Sequence, residues 1–304
     1  VEAAKMSGTK SVTLLGRHPH WPTPRKIANL IPFQYVFLSR LGQMLVEGHR
    51  GAYPGSPALS ALWGKVGWPL MAVAFKAVEA LFALQYRNLW GATSPFLKVD
   101  IVDDFYGYAQ VLDYNLRDMV KSHRIDWKMG EAVRLQPGNK LQLKSGQIID
   151  ADVIICGTGF GKDYSIFTED VRTKLDIQND GLYLYRHTLP SSVKNLAFVG
   201  SELACISNLS SYGLQAAWLA KAWSGETRVP PEAEMKAETE TVKSWKRSWM
   251  PETSSRASLV LLHQIHFHDL LLKDMGLSHH RKGNPFAEFL MPYESADYNN
   301  VIGV

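Results

Sequence analysis

Two cysteines in 304 residues, Cys156 and Cys205, are too few for a disulfide framework, and no C-x-x-C pair is present to seat zinc or relay electrons. A reducing compartment such as the cytoplasm is therefore the expected setting. Charge of either sign is not in large excess. The formal net charge of +4 suits small anions but is too weak to point to nucleic acid. The longest apolar run, Pro69 to Leu84, is interrupted by Lys76 and Glu79. A bilayer-spanning helix needs about 20 predominantly apolar residues, so this run reads as a core or interfacial helix. No signal peptide opens the chain, and no repeat or low-complexity tract occurs in it.

The composition is 46% hydrophobic and 20% charged, which supplies enough apolar material for a sizeable core and argues against global disorder. The chain begins with Val1 rather than Met, and Val1 to Met6 reads as the end of a helix already under way. A fragment or incomplete gene product is the expectation.

Ser11 to Leu15 is a short aliphatic run, read as a buried parallel strand, and with the preceding helix it forms the second half of a βαβ unit. Residues 27–90 have a helical pattern interrupted by a Gly51–Pro57 loop, and a further helix is expected from Asp104 to Lys121. Turn chemistry at Pro137-Gly138-Asn139 and Ser145-Gly146 separates strands at Ile125–Lys128, Ala132–Gln136 and Lys140–Leu143. Val153–Cys156 and Leu196–Val199 are four-residue apolar runs of the kind expected for strands covered on both faces. Helices are expected over Ser210–Ser224 and Arg256–Met275.

Three constellations carry chemistry. Strand, Gly16, Arg17 places a guanidinium where a dinucleotide-binding sheet meets the adenosine ribose, with Arg25 close behind; a planar, permanent cation there suits a 2′-phosphate. Gly157-Thr158-Gly159-Phe160 ends the first apolar run and lets the backbone approach another chain or a ligand. Gly200 ends the second run, and Ser207-Asn208 then open a helix whose N-terminal amides favour an electron-rich group. Each feature taken alone equally fits a surface arginine, a structural turn and an ordinary N-cap.

Taken together, the order of Ser11–Arg25, Asp150–Phe160 and Asn195–Trp218 resembles the flavin-containing monooxygenase family, including its Baeyer–Villiger relatives. Gly157-Thr158-Gly159-Phe160 is similar to that family's Ala-Thr-Gly-Tyr/Phe hinge, and Leu196 to Gly200 resembles its Leu-Ala-Phe-x-Gly strand. The resemblance implies an α/β fold: an incomplete two-dinucleotide-binding, Rossmann-like flavoprotein with a large helical insert and a helical C-terminal tail. It implies residues 1–28 as a remnant of an NADPH-binding domain, 29–123 as the insert, 124–160 as return strands and hinge, 161–228 as the C-terminal part of an FAD-binding domain, and 229–304 as the tail. FAD and NADPH are the implied cofactors. Arg17, Arg25, Gly157, Thr158, Gly159, Phe160, Gly200, Ser207 and Asn208 are the candidate binding residues. The implied reaction moves oxygen from O2 to a nitrogen or sulfur nucleophile or to a carbonyl carbon, with no protein side chain as nucleophile or general base.

The family's two G-x-G-x-x-G loops have no counterpart in the chain. Loss of the upstream portion explains this more simply than divergence. Two alternatives remain open. One is a non-catalytic remnant whose 63–90 segment meets a partner or a membrane surface. The other is a disulfide reductase, for which neither cysteine has a close sequence partner. His263, His266 and His268 form a cluster, but the spacing puts only the first two on one helix face, so a metal site is not expected.

Overall fold

A computed structural model describes residues 1–18, 20–90, 100–108, 110–111, 115–159 and 161–303. A four-residue helix α1 (Glu2–Lys5) leads through a glycine turn into strand β1 (Val12–Gly16), as the sequence suggested, but the strand is half exposed rather than buried, with Thr13 and Leu14 facing solvent. Short strands β2 (Pro22–Thr23), β3 (Lys26–Ile27) and β4 (Ile31–Pro32) then precede four helices, α2 (Phe33–Phe37), α3 (Arg40–Arg50), α4 (Ala58–Val66) and α5 (Trp68–Trp90). Ser39 caps α3, its Oγ accepting from the Gly42 amide at 3.1 Å, and Gly51 at φ 86° ends the helix. The packing of this group depends on a close approach. A Cβ at Gly42 would lie 2.0 Å from the Val36 carbonyl oxygen, so only glycine lets α2 and α3 meet.

The helix expected from Asp104 to Lys121 is two helices. α6 (Ile101–Tyr108) stops before β5 (Gln110–Val111), and α7 (Leu116–Lys121) starts afresh; residues 112–114 of the expected helix lie outside the described residues. β5 pairs in parallel with β2, a tertiary partner that helical periodicity alone does not reveal.

β6 (Ile125–Met129) pairs in parallel with β1, with Val12 opposite Ile125 and Gly16 opposite Met129. β7 (Ala132–Gln136), β8 (Lys140–Leu143) and β9 (Ile148–Asp150) form an antiparallel meander at the expected turns. Helix α8 (Glu169–Leu175) follows. β10 (Ala204–Cys205) leads into the central helix α9 (Asn208–Trp223), then come α10 (Glu232–Trp249), β11 (Leu259–Leu261), α11 (Gln264–Asp274), α12 (Pro285–Leu290) and α13 (Asn299–Ile302). β10 and β11 are parallel neighbours.

Among the described residues the parallel pairing comes in two-stranded pieces, β1–β6, β2–β5 and β10–β11, rather than one wide sheet. The two expected buried strands do not form. Val153–Cys156 is irregular and exposed, with Ile155 80% accessible, and Leu196–Val199 is irregular and only partly buried. A strand apolar on both faces needs sheet neighbours and covering helices to be stable, and none pairs with these runs here.

The largest core lies around α9 and α11. Leu214, Trp218, Leu271 and Leu272 are fully buried there, joined by Tyr293 and Tyr298 from the tail. A second core brings Trp21, Phe37, Phe82 and Phe105 against Leu262 near the C-terminal end. Tail and insert are further locked by Arg40, whose guanidinium pairs with both oxygens of Asp269 and with Glu288 Oε1 at 2.9 Å. Burial works against the Arg40 charge, but the Asp269 hydrogen bonds outweigh it and raise its pKa further.

Candidate functional site

The site is built where the chain leaves its second glycine turn and enters α9. Gly200 has φ +79°, a region that L side chains rarely adopt, and a Cβ there would sit 3.1 Å from the Tyr212 ring. Its amide donates to Gln215 Oε1 at 3.0 Å. The fully buried Gln215 amide in turn donates to the His187 carbonyl at 2.9 Å and to Thr188 Oγ1 at 3.0 Å. The turn is thus pinned to the side of α9 rather than left as a free loop.

Glu202, two residues on, is buried and holds the segment after the first glycines in place. Lys162 Nζ forms a charge-assisted bond to Glu202 Oε2, and Tyr164 OH donates to Oε1 at 2.8 Å. Burial and then this bond to Glu202 raise the Tyr164 pKa, keeping the phenol protonated as the donor. Lys162 lies three residues after Gly159. The Lys162–Tyr164 segment that follows the first glycines is therefore tied to a carboxylate two residues after Gly200, a link that pattern reading missed; Lys162 and Tyr164 are the available sequence signal. Gly157, Thr158 and Gly159 are exposed, Gly159 has φ +76°, and a Cβ at Gly157 or Gly159 would meet nothing within 4 Å. Phe160 lies outside the described residues.

At the start of α9, Asn208 Oδ1 accepts from the Cys205 amide at 2.8 Å and the Ser207 amide donates to Gln264 Oε1 at 2.8 Å. Ser207 Oγ donates to Ser210 Oγ at 3.0 Å and caps no helix amide. The expectation of Ser207-Asn208 as an ordinary side-chain cap is thereby replaced. These side chains brace the entry loop, and the first-turn amides stay turned toward the open end, where Asn208 and Leu209 are exposed. From behind, Ser211 Oγ pairs with His268 Nε2 at 2.8 Å, and His268 Nδ1 pairs with Tyr298 OH at 2.9 Å. All three residues are buried, and this Ser-His-Tyr chain lacks the access that a nucleophile needs.

Arg17 directly follows β1 and is exposed. It adds to the field that lowers the Glu131 carboxyl pKa, after the dominant hydrogen bond from Lys144. Arg25 is exposed at the β3 turn, and its carbonyl accepts from the Phe33 amide at 2.9 Å. Among the described residues no hydrogen bond or ion pair joins Arg17 to the glycine turns. Gly200, Ser207 and Asn208 are brought together at the entry to α9, while Arg17 stands at the end of β1.

The cysteines do not support dithiol chemistry. Cys156 is exposed and Cys205 buried; neither is bridged, and burial pushes the Cys205 thiol up to about 12, away from a reactive thiolate. The histidine cluster is engaged in packing and hydrogen bonds. His266 Nδ1 faces Ser56 Oγ at 3.3 Å and Gln43 Nε2 at 3.4 Å, and the described residues contain no group of three or more metal-ligating side chains.

A helix start with no side-chain cap, a few residues after the Gly200 turn, offers amides of the kind that the electron-rich ring end of a flavin would take. The pyrophosphate end needs a glycine loop at a strand-to-helix turn, which these residues do not supply.

Residues 139–276 match the flavin-binding monooxygenase-like family profile. The match covers less than half of the chain. This match contains the glycine turns and Ser207-Asn208, and it excludes Arg17 and Arg25. The probable flavin-containing monooxygenase 1 of Arabidopsis thaliana is 26% identical over 96% of this chain and 54% of its own length. The FAD-dependent monooxygenase DEP4 of Alternaria brassicicola is 25% identical over 55% of this chain and 37% of its own. The chain therefore spans about half the length of the curated relatives it matches, or less. Among solved structures, S-allyl-L-cysteine S-oxygenase from Allium sativum aligns over 58% of this chain and 39% of its own, at 18% identity and a TM-score of 0.41.

Proposed function

We propose that the chain is the flavin-facing, C-terminal portion of an FAD- and NADPH-dependent monooxygenase that oxygenates a small nitrogen or sulfur nucleophile or a carbonyl compound. The supporting observation is the bonding of Lys162 and Tyr164, just after the first glycines, to Glu202, just after Gly200, with the start of α9 a few residues on and without a side-chain cap, all inside the family match. Bound flavin supplies the redox and oxygen chemistry. The protein's share is positional. First-turn amides of α9 would favour negative charge on the pyrimidine ring, Gly157 to Gly159 and Gly200 would let backbone reach the ring edge, and Tyr164 and Lys162 hold the segment behind the first glycines through Glu202. Arg17 and Arg25 would grip the 2′-phosphate of NADPH, and residues 1–28 would belong to its domain.

The test uses the product of the full open reading frame carrying these residues. It is expected to purify yellow and to oxidise NADPH in step with product from amine, sulfide or ketone candidates. Glu202→Gln is expected to weaken FAD binding by about tenfold or more, since the segment behind the first glycines loses its charge-assisted anchor. Colourless protein that ignores added FAD in fluorescence titration would refute the proposal and favour a non-catalytic binding chain.

A further inference from the structure

Beyond α8 the chain doubles back in a tight turn. The Gln178 and Gly181 backbones bond each other in both directions at 3.1 Å, and Gly181 has φ +114°. A Cβ at Gly181 would lie 2.8 Å from the Ala257 Cβ, so this turn sits directly on the 3-10 turn Arg256–Ser258. The contact brings Asp180 against two arginines. Arg247, in the last turn of α10, donates Nη2 to Asp180 Oδ1 at 2.7 Å and Nε to Oδ2 at 3.0 Å. Arg256 donates Nε to Oδ2 at 2.9 Å, and Tyr183 OH donates to the same oxygen at 2.8 Å.

A cavity of about 370 Å³ opens on this cluster, within the size range of small-ligand sites. Two guanidiniums share the one Asp180 carboxylate, so the cluster holds a positive charge in excess. Arg256 is only 8% exposed, and a cation buried that far with part of a counter-ion is costly. Both arginines also keep donors in reserve. Among the described residues, neither Arg247 Nη1 nor Arg256 Nη2 has a hydrogen-bond partner. A carboxylate is the planar acceptor that such donors match. Glu252 lines the same cavity from the loop after α10; it is exposed and forms no ion pair with either arginine among the described residues. A free carboxylate there repels a dianion and attracts an ammonium group. Ile177 is the one apolar side chain in the lining, which disfavours a hydrophobic ligand.

We propose that this cavity binds a small zwitterion of the α-amino-acid type, its carboxylate on the reserve donors of Arg247 and Arg256 and its ammonium toward Glu252. None of the glycine-turn residues lines the cavity, and the assignment does not rest on the flavin reading.

The experiment is a ligand-observed NMR titration of the product of the full open reading frame with L-glutamine, acetate, ethylamine and inorganic phosphate. L-Glutamine is expected to bind several-fold tighter than acetate or phosphate, and ethylamine least. Glu252→Gln breaks no bond of the fold and is expected to weaken L-glutamine about fivefold while leaving acetate unchanged or tighter. Arg247→Gln is expected to weaken L-glutamine and acetate alike, with circular dichroism checking that this variant folds. Phosphate as the tightest probe overturns the zwitterion assignment in favour of a simple anion site. Unchanged L-glutamine affinity in Glu252→Gln, or no binding of any probe by the unaltered protein, overturns it as well.

Discussion

Acidification from pH 7 to 5.5 is expected to destabilise the fold steeply, through histidines buried without charge. His263, His266 and His268 are each pushed down to about 3, first by burial, and His187 is lowered in the same direction. A folded-state pKa below the unfolded value of about 6.5 means that the unfolded chain takes up protons which the native state refuses. The stabilisation is therefore complete above pH 6.5 and is lost as pH falls toward 3. Between pH 7 and 5.5 each of the three histidines accounts for about 1.3 kcal/mol, or about 4 kcal/mol together, a large part of a typical domain's stability. Glu47 and Asp269 oppose this, because burial raises their carboxyl pKa and the native state gains protons there. Glu47 belongs to the same hydrogen-bond chain, accepting from Gln43, which reaches His266. Glu47→Gln should therefore steepen the acid loss. The assay is urea unfolding followed by circular dichroism at half-unit pH steps, with His263→Gln and His266→Gln made together. Equal stability at pH 7 and 5.5, or a slope that the double variant leaves unchanged, would refute the assignment of these histidines as buried and neutral.

Two further outcomes test the framework. Asp180 accepts from Tyr183, Arg247 and the buried Arg256, so Asp180→Ala strands a guanidinium and should cost about 3–5 kcal/mol in denaturant unfolding. Gly200→Ala meets both a left-handed backbone and the Tyr212 ring, and a loss of about 1–3 kcal/mol should appear as a lower thermal midpoint.

Local signals in the sequence carried well into the structure, and signals that needed distant partners did not. The β6–β8 strands and their turns fall within a residue of the expected ranges, because turn residues and alternating pattern act over a few positions. Helix α9 is likewise found at Asn208–Trp223 against an expectation of Ser210–Ser224. Val153–Cys156 failed for a different reason. Its composition describes a strand covered on both sides, but composition does not provide the cover, and here Val153 and Ile155 face solvent. The expected Arg256–Met275 helix also divided, since Leu259–Leu261 found β10 as a partner, leaving a 3-10 turn at Arg256–Ser258 and an α-helix at Gln264–Asp274. At the site, the glycines and Ser207-Asn208 were legible as types. The bonds around them, through Glu202 and Gln215, join residues far apart in sequence and left no periodic trace.

The tail beyond Pro230 belongs to the site's architecture rather than standing apart from it. α9 can aim its first amides only if its axis is fixed, and the tail supplies most of that fixing. His268 and Tyr298 hold Ser211, Ser295 Oγ meets Ser210 Oγ at 2.7 Å, and Asp274 accepts from the Trp218 indole at 3.1 Å. Ile302 packs so closely that a Cβ on Gly213 would lie 3.1 Å from its Cγ2, so the last helix rests directly on α9. Four contacts along one face, from the first turn to the third, leave the helix little freedom to tilt. The open N-terminal end and the clamped flank are thus complementary. Under the proposed flavin reading, the first-turn amides would be left for the ligand because the side chains around them are already bound to the tail.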